Sequence, residues 1–287
     1  MKGNILGFVR KNLANGPLAR LAAFPLRANQ VGSHLSRETA TGLQWLWRSR
    51  EYTNYTYNLS ALNIEHLSWW VATVAGAEVT QCRLWITECL QDREMQSYVL
   101  DLTRRSTRAR LADLEVRISR RAGWYALIRA LRPSFVVETG TDKGLGSVVI
   151  QSALKRNDHG SLLTADINPE SGYLLSGKYG EGVEIVVADS IATLTGLDRQ
   201  VDFFIHDSDH SRDHEVAEYL AIAPHLSADA VVLSDNSHVT DALALWAESR
   251  GWNFLHFQEQ SVNHWYPGAG IGAAWKTRAS KAPIQQR

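Results

Sequence analysis

The amino-acid sequence predicts an α/β fold in which a doubly wound, mostly parallel sheet of seven strands follows a helical N-terminal extension. After residue 122, short runs rich in β-branched and aromatic residues alternate with helix-length segments. This alternation is typical of a parallel sheet that is covered by helices on both faces. Before residue 122 the pattern is mostly helical. We therefore expect an extension over residues 1–121 and a ligand-binding domain over residues 122–287.

The first five of the seven predicted strands end in acidic or amide side chains. The seven runs are SFVVE, SLLTAD, VEIVVAD, VDFFIHD, AVVLSDN, NFLHFQ and GIGAAWK. Ligands of such sheets bind beyond the carboxyl ends of the strands. A helix cap is the alternative explanation for any one of these acids, and it stays open for Asp189. The residues at this edge are Glu138, Asp166, Asp189, Asp207, Asp235 and Asn236.

The extension offers several interpretations. Its first 37 residues carry six basic residues and no acid, which suits an arm that packs, dimerises or contacts a membrane. Tyr52, Tyr55 and Tyr57 lie close together and form either packed aromatics or a lid over a substrate. The arginine-rich segment from Asp101 to Arg121 is expected to be a solvated connecting helix. We expect a homodimer or a higher homo-oligomer, with the extension as lid, interface or both.

Composition limits the possible partners. Lys plus Arg and Asp plus Glu both number 30, and no aromatic-interleaved basic motif is present, so no nucleic-acid partner is expected. No apolar run reaches ~18 residues, which predicts no transmembrane segment. Two cysteines are too few for a disulfide framework or a thiolate zinc site. These features together predict a cytoplasmic protein.

The run FVVETGTDKGLGSVV, residues 135–149, fits two cofactor fingerprints. Thr139, Gly140, Gly144 and Gly146 fit the glycine turn of a short-chain dehydrogenase, which binds a nicotinamide dinucleotide. Glu138, Gly140 and Gly144 fit the first motif of an S-adenosylmethionine (SAM) methyltransferase. The dehydrogenase also needs a Tyr followed four residues later by Lys, which does not occur after the turn. A carboxylate here would repel a pyrophosphate but attract the ammonium and sulfonium of SAM.

Taken in order, these motifs resemble the class I SAM-dependent methyltransferases over roughly residues 122–276. The resemblance implies a Rossmann-like methyltransferase fold and SAM as cofactor. It further implies that Glu138 holds the methionine end, that Asp166 accepts the ribose hydroxyls, and that Asp189 with Ser190 holds the adenine edge. The cofactor-binding residues predicted on this basis are Glu138, Gly140, Thr141, Gly144, Ser147, Asp166, Asp189, Ser190 and Asp207.

The segment FFIHDSDHSRDHE has three interpretations. His210 and His214, four residues apart, could form a zinc helix, although a third ligand is not evident. A polar helix start is the second interpretation. The third is a site for Mg²⁺ or another hard divalent cation, because carboxylates and amides suit such ions. The segment resembles the cation-dependent O-methyltransferases of the catechol, caffeoyl-CoA and macrocin types, which implies Asp207, Asp235 and Asn236 as ligands.

The predicted reaction is O-methylation of a small hydroxylated acceptor, a sugar or a natural product, assisted by the cation. His210 stands where the catechol and caffeoyl-CoA types place a basic Lys, and it is the candidate general base. His264, in a His-Trp-Tyr-Pro run, is the second catalytic candidate, and His238 lies in another acceptor-facing loop. Two alternatives stay open: a metal-independent SAM methyltransferase acting on nitrogen, sulfur or carboxylate, and a module that only binds SAM.

Overall fold

The structure is a computed structural model that describes residues 23–51, 55–235 and 237–277. The described residues fall into two compact units. The first takes its residues from Met1–Ser49 and Asn263–Trp265, and the second takes them from Arg50–Val262 and Tyr266–Arg287.

The first unit contains one long helix, α1, Phe24–Arg48, which has a proline in its first turn and ends where Ser49 turns extended. A proline is tolerated there because the backbone N–H groups of the first turn have no acceptor within the helix. None of the helix residues is buried. Near its end, the ring of Trp45 meets His264 edge-on at 5.5 Å between ring centroids and Trp265 at 5.6 Å.

In the second unit, a set of helices precedes the sheet. Ser60 caps the first of them by accepting a hydrogen bond from the Asn63 N–H at 3.1 Å, and Gly76 ends it with a φ of 64°. Asp92 caps the third at the Met95 N–H. The elements are β1 Asn58–Leu59, α2 Ala61–Ala75, α3 Val79–Leu90, α4 Arg93–Arg105, a 3₁₀ turn Ala109–Leu111 and α5 Arg121–Leu131.

Seven strands form the central sheet, in agreement with the predicted fold. Its order is β4-β3-β2-β5-β6-β9-β7. The strands β2 to β6 run parallel, and β9 is antiparallel to β6 and β7. The strands are β2 Phe135–Thr139, β3 Ser161–Asp166, β4 Val183–Val187, β5 Val201–His206, β6 Leu226–Ser234, β7 Asn253–Gln258 and β9 Gly270–Trp275; the short β8 Ser261–Val262 pairs with β1.

Helices connect these strands and cover both faces of the sheet. Along β2, Val136 belongs to one buried apolar cluster, whereas Phe135 and Val137 belong to the other. The first cluster also contains Leu67 and Trp70 of α2, so part of the predicted extension shares its core with the sheet. The connecting helices are α6 Leu145–Asn157, α7 Gly177–Gly180, α8 Ser190–Thr195, α9 Arg212–Ile222 and α10 Ala242–Ser249.

Several further sequence predictions can be compared with this architecture. The boundary at residue 122, the lid and the oligomer stay predictions. The expected solvated helix from Asp101 to Arg121 is wrong, because α4 ends at Arg105 and both Arg120 and Arg121 are buried. Among the described residues, no helix is long and apolar enough to cross a membrane.

The strand order reverses at β2. From β2 the chain moves outward through β3 to β4, and it then returns to the other side of β2 as β5. Thr139 at the end of β2 lies beside His206 at the end of β5. Such a switch point opens a crevice at the carboxyl edge of the sheet, which is where ligands of this architecture bind.

Candidate functional site

A cleft of about 670 Å³ opens at this edge. Gly144 and Ser147 are not in its lining but contact residues that are, through the Thr141 carbonyl and the Glu138 carboxyl. His264 belongs to the first unit, and Asn236 lies outside the described residues. The predicted site residues that line the cleft are Glu138, Gly140, Thr141, Asp166, Asp189, Ser190, Asp207, His210 and Asp235.

The turn after β2 can form only with glycine at its first position. Gly140 has a φ of 89°, and a Cβ there would lie 1.9 Å from the backbone oxygen of Asp207. Gly144, with a φ of 91°, begins α6 and donates its N–H to the Thr141 carbonyl at 2.7 Å. Positive φ values carry little cost for glycine alone. The turn therefore brings backbone close to whatever occupies the cleft.

Glu138 is buried at the end of β2. Its Oε2 accepts hydrogen bonds from the Thr164 hydroxyl at 2.8 Å and from the Ser147 hydroxyl. Burial raises the pKa of Glu138 to about 7, although both hydroxyls and Arg121 favour the ionised form. Gly146 is needed beside it, since a Cβ there would lie 2.4 Å from Glu138 Oε1. Glu138 is thus held in one position and is easily switched between two charge states.

The next two strand-end acids are anchored by backbone N–H groups. Asp166 accepts hydrogen bonds from Asp142 N and Asn168 N, each at 2.8 Å. Asp189 accepts one from Ala192 N at 2.8 Å and thereby caps α8. The cap that the sequence left open for Asp189 is therefore present. Carboxylate oxygens accept more than one hydrogen bond, so both groups can also meet a ligand in the cleft.

Asp207 and Asp235 end the adjacent strands β5 and β6, as the sequence predicts. Burial and the neighbouring Asp235 raise the pKa of Asp207 well above its usual range. Burial opposes ionisation of Asp235 as well, but the Arg120 guanidinium outweighs it and holds the pKa of Asp235 below its usual range. The two carboxyl groups therefore differ in how readily they ionise.

A divalent cation does not fit this pair as it is arranged. Arg120 Nε donates to Asp235 Oδ1 at 2.6 Å and its Nη2 donates to Oδ2, so both oxygens already face a cation. A second cation, Arg121, has its Nη2 3.7 Å from Asp207 Oδ2. Among the described residues, no group of three or more His, Cys, Asp and Glu side chains is placed to hold a metal ion. The Mg²⁺ site, including Asn236, stays a prediction.

Sequence analysis missed the network that fixes Arg120. Its Nη1 donates to Glu259 Oε2 at 2.9 Å, and its backbone N–H donates to Glu259 Oε1 at 3.1 Å. The Tyr57 hydroxyl donates to Glu259 at 2.6 Å and accepts from the Ala269 N–H at 2.8 Å. The available signal was the Arg120-Arg121 pair directly before an apolar helix, where solvated arginines are not expected.

His210 lies in the loop between β5 and α9 and is partly buried. Burial lowers its pKa, so the ring is neutral at pH 7. The His206 ring lies edge-on to it at 6.0 Å between centroids, and His206 Nδ1 is 2.7 Å from Glu218. His214 Nε2 also bonds to Glu218, at 3.1 Å, so the helix start is a polar network.

The other histidines that the sequence singled out have neighbours of their own. His238 Nδ1 accepts from the Gly270 N–H at 3.0 Å, and its Nε2 lies 2.9 Å from the Tyr266 hydroxyl. The ring of Tyr266 is tilted against those of Tyr55 and Tyr57, which also line the cleft. Tyr52 lies outside the described residues. His264 stacks on Trp265 within the first unit, and its catalytic role stays a prediction.

Comparison with known proteins finds similarity to methyltransferases. Residues 137–237 match a family model described as a methyltransferase domain. The cofactor-bound protein Rv0187 from MTB superposes with a TM-score of 0.53 at 19% identity, over 64% of this chain and 90% of that chain. The O-methyltransferase of Bacillus cereus in complex with SAH gives 0.52 at 14%, over 63% and 91%. The O-methyltransferase TomG of Streptomyces achromogenes in complex with SAM gives 0.52 at 19%, over 66% and 92%. No curated protein sequence matches this chain.

The family match and the sheet order agree with the sequence prediction. The resemblance to the class I methyltransferases and the Rossmann-like methyltransferase fold are confirmed. The solved structures are less than 25% identical to this chain in sequence, so they bear on its fold alone.

Proposed function

Because the chain carries a methyltransferase domain, we propose that its cleft binds SAM and that it transfers the methyl group to a hydroxyl of a small molecule. One observation carries the proposal. The cleft joins a glycine turn flanked by the strand-end acids Glu138 and Asp166 to a neutral histidine, His210. The acids suit a cationic cofactor, and the neutral histidine suits the role of proton acceptor.

The cofactor's position follows from the acids. The ionised carboxyl of Glu138 attracts the ammonium of the methionine part, while Asp166 accepts both ribose hydroxyls at the next strand. Asp189 and Ser190 meet the adenine edge, and the Gly140–Gly144 turn allows the backbone to approach the cofactor closely. The Bacillus cereus and TomG O-methyltransferases, which were solved with SAH and SAM, support SAM as the ligand of this fold.

Methyl transfer is an in-line displacement. The acceptor oxygen forms a bond to the methyl carbon while the carbon–sulfur bond breaks, and its electrons neutralise the sulfonium to give S-adenosylhomocysteine (SAH). Most of the rate enhancement comes from holding the oxygen, carbon and sulfur in line. The cleft walls that position the acceptor are Tyr55, Tyr57 and Tyr266.

His210 takes the proton that the acceptor oxygen loses. A base must be unprotonated before it can accept a proton, and burial keeps the pKa of His210 below 6.5. Glu218 lies behind His206 and is held ionised, because hydrogen bonds from His206 and neighbouring hydroxyls outweigh its burial and lower its pKa to about 2.

The alternative to a hydroxyl acceptor is a different acceptor group. Transfer to nitrogen, sulfur or carboxylate of a small molecule needs the same SAM site but no cation. One observation favours a cation-free version: Asp235 is already engaged by Arg120. A sugar or natural-product acceptor, a homo-oligomer and a cytoplasmic location complete the proposal.

The test is methyl transfer from methyl-labelled SAM to a panel of small phenols, sugars, amines, thiols and carboxylic acids. We expect label in an oxygen-bound product with the wild-type protein and at least a hundredfold less with His210→Gln. Label on nitrogen or sulfur would contradict O-methylation. Failure of every acceptor together with failure to bind SAH would contradict the methyltransferase assignment itself.

A further inference from the structure

The acid pair at the ends of β5 and β6 faces a fixed organic cation. Arg120 contacts Asp235 with two nitrogens and Glu259 with a third. All three side chains are buried, with exposed fractions of 8% for Arg120, 1% for Asp235 and 0% for Glu259. Three of the five N–H donors of the guanidinium are therefore used within the protein, in a forked geometry that a lysine could not reproduce.

The anchor of Arg120 is itself anchored from distant parts of the chain. Glu259, which follows β7, accepts a hydrogen bond from the hydroxyl of Tyr57, which precedes β1. It also accepts one from the backbone N–H of Arg120, directly before α5. Tyr57 is in turn held by the Ala269 N–H at 2.8 Å. Segments that are distant in the sequence thus meet at the Arg120 guanidinium, which leaves this group few other positions.

The acids in this part of the cleft already face organic cations. Arg120 contacts both Asp235 and Glu259, and the Arg121 guanidinium lies 3.7 Å from the Asp207 carboxyl. A divalent ion between Asp207 and Asp235 would bring two further positive charges next to two buried guanidinium groups. Like charges repel strongly where water is excluded. The ion would also have to displace the bidentate bond to Asp235.

We propose that Arg120 takes the place of the divalent cation in the acceptor site, so that this chain transfers methyl groups without a metal. The inference rests on the proposed function, which supplies the reaction. Arg120 lines the same cleft as His210. Its positive charge stabilises the oxygen as the proton passes to the imidazole of His210 and the oxygen lone pair forms the new bond to carbon. The carbon–sulfur electrons remain on sulfur.

The use of a guanidinium in place of a metal ion narrows the range of acceptors, from the sugars and natural products proposed above to those with an acidic hydroxyl. A guanidinium carries one delocalised charge and cannot bind an oxygen as a metal does, so it lowers the pKa of a hydroxyl less than a divalent ion. The acceptor must therefore bring an acidic hydroxyl of its own. Phenols and enols meet this requirement and aliphatic sugar alcohols do not. The inferred substrate class is a small molecule with a phenolic or enolic hydroxyl.

The test is a Mn²⁺ titration followed by electron paramagnetic resonance, which detects the free ion. The proteins are the wild type, Arg120→Ala, Asp235→Asn, the double variant Arg120→Ala/Asp235→Asn, and Arg117→Ala as control. Arg117 pairs with Asp113 and Glu115 and is not in the cleft lining, so its loss changes charge without opening the acid pair.

We expect no stoichiometric Mn²⁺ binding by the wild type or Arg117→Ala below about 1 mM, a range in which hard-cation protein sites are normally occupied. Arg120→Ala frees Asp235 and should bind Mn²⁺ at least tenfold more tightly, and the double variant should lose that gain. One Mn²⁺ per wild-type chain, lost in Asp235→Asn, would overturn the inference. Should Arg120→Ala fail to fold, the wild-type titration alone decides.

An SAH titration of the same wild-type sample separates the two proposals. A protein that binds SAH and also binds Mn²⁺ through Asp235 contradicts the arginine assignment only. A protein that does not bind SAH contradicts the proposed function, whatever the Mn²⁺ result. Among acceptors, turnover of phenols that is equal in Mg²⁺ and in EDTA supports the inference, and turnover of aliphatic alcohols that stops in EDTA overturns it.

Discussion

The carboxyl group of Glu138 accepts a hydrogen bond from the hydroxyl of Thr164, 2.8 Å away on the neighbouring strand β3. The contact joins the two strands at the edge where the cleft opens. Thr164 also lies 2.7 Å from the Thr141 hydroxyl, so the glycine turn, the acid and the second strand are held together. This edge of the cleft is therefore held in place by the protein's own hydrogen bonds.

The binding of SAH should depend on pH through Glu138. In the free protein burial raises the pKa of Glu138 to about 7, so the carboxyl is mostly protonated at pH 6 and mostly ionised at pH 7.5. An ammonium prefers the ionised form, and affinity should rise roughly five- to tenfold over that range. Calorimetry at the two pH values measures it. Glu138→Gln should bind weakly with no such rise; an equal rise in this variant would contradict the role.

The raised pKa of Glu138 also has a cost in stability. A group whose folded-state pKa is raised contributes stability at low pH and loses it as pH rises through the folded pKa. Above pH 7 the ligand-free protein must therefore hold an ionised carboxyl in a buried position. Glu138→Gln should melt at a higher temperature than the wild type at pH 8 but not at pH 5, as measured by circular dichroism. A lower melting temperature of Glu138→Gln than of the wild type at pH 8 would show that the ionised carboxyl does not destabilise the folded protein.

Asp166 should contribute to cofactor affinity through the ribose. Asp166→Asn keeps the shape but replaces one acceptor oxygen with a donor, and we expect SAH affinity to fall about ten- to a hundredfold, since hydrogen bonds to charged groups are worth ~1.5–3 kcal/mol. Asp202→Asn is the matched control, because Asp202 also accepts a backbone N–H, from Ser134 at 2.8 Å, but at the start of β5. Similar losses in both variants would attribute the effect to folding.

Gly140 should not tolerate a side chain. Gly140→Ala places a Cβ 1.9 Å from the Asp207 backbone oxygen at a positive φ, whereas Gly251→Ala has the same sign of φ, 64°, and open space around it. The control measures backbone strain alone, about 1–2 kcal/mol. We expect Gly140→Ala to lower the melting temperature well beyond the control and to abolish SAH binding. Equal melting temperatures would contradict the described turn.

His210 should act on the acceptor and not on the cofactor. His210→Gln should lower turnover by a factor of about 10²–10⁴, the usual range for a general base, and change SAH affinity little. The exposed His66→Gln serves as control. Since burial lowers the pKa of His210, the acid limb of the wild-type pH profile of kcat, measured at saturating SAM, should lie below pH 6.5. A limb that persists in the variant would point to another base.

The fold and the glycine turn after β2 could be predicted from the sequence because their signals are local. Each buried strand is a short apolar run, and Glu138, Gly140 and Gly144 lie within seven residues. The insertion of β9 between β6 and β7 has no such local signal, since pairing order depends on tertiary contacts. The acids at the strand ends could be named for the same reason: parallel strands end at one edge.

The partner of Asp235 could not be predicted from the sequence. Arg120 and Asp235 are 115 residues apart, and Arg120 lies in an arginine-rich segment whose composition is typical of a solvated surface. A carboxylate at a strand end looks the same in sequence whether a metal or a guanidinium will face it. Only the tertiary structure shows that Glu259 and Tyr57 hold the arginine at that position.

The most direct test of the account is a calorimetric titration of the wild-type protein with SAH and, separately, with NADP. The glycine turn beside Glu138 predicts that SAH binds at one molecule per chain and that NADP, with its pyrophosphate, does not bind. The result should be the same in Mg²⁺ and in EDTA. If NADP bound and SAH did not, Glu138 would have another role, and the proposed methyl transfer would be contradicted.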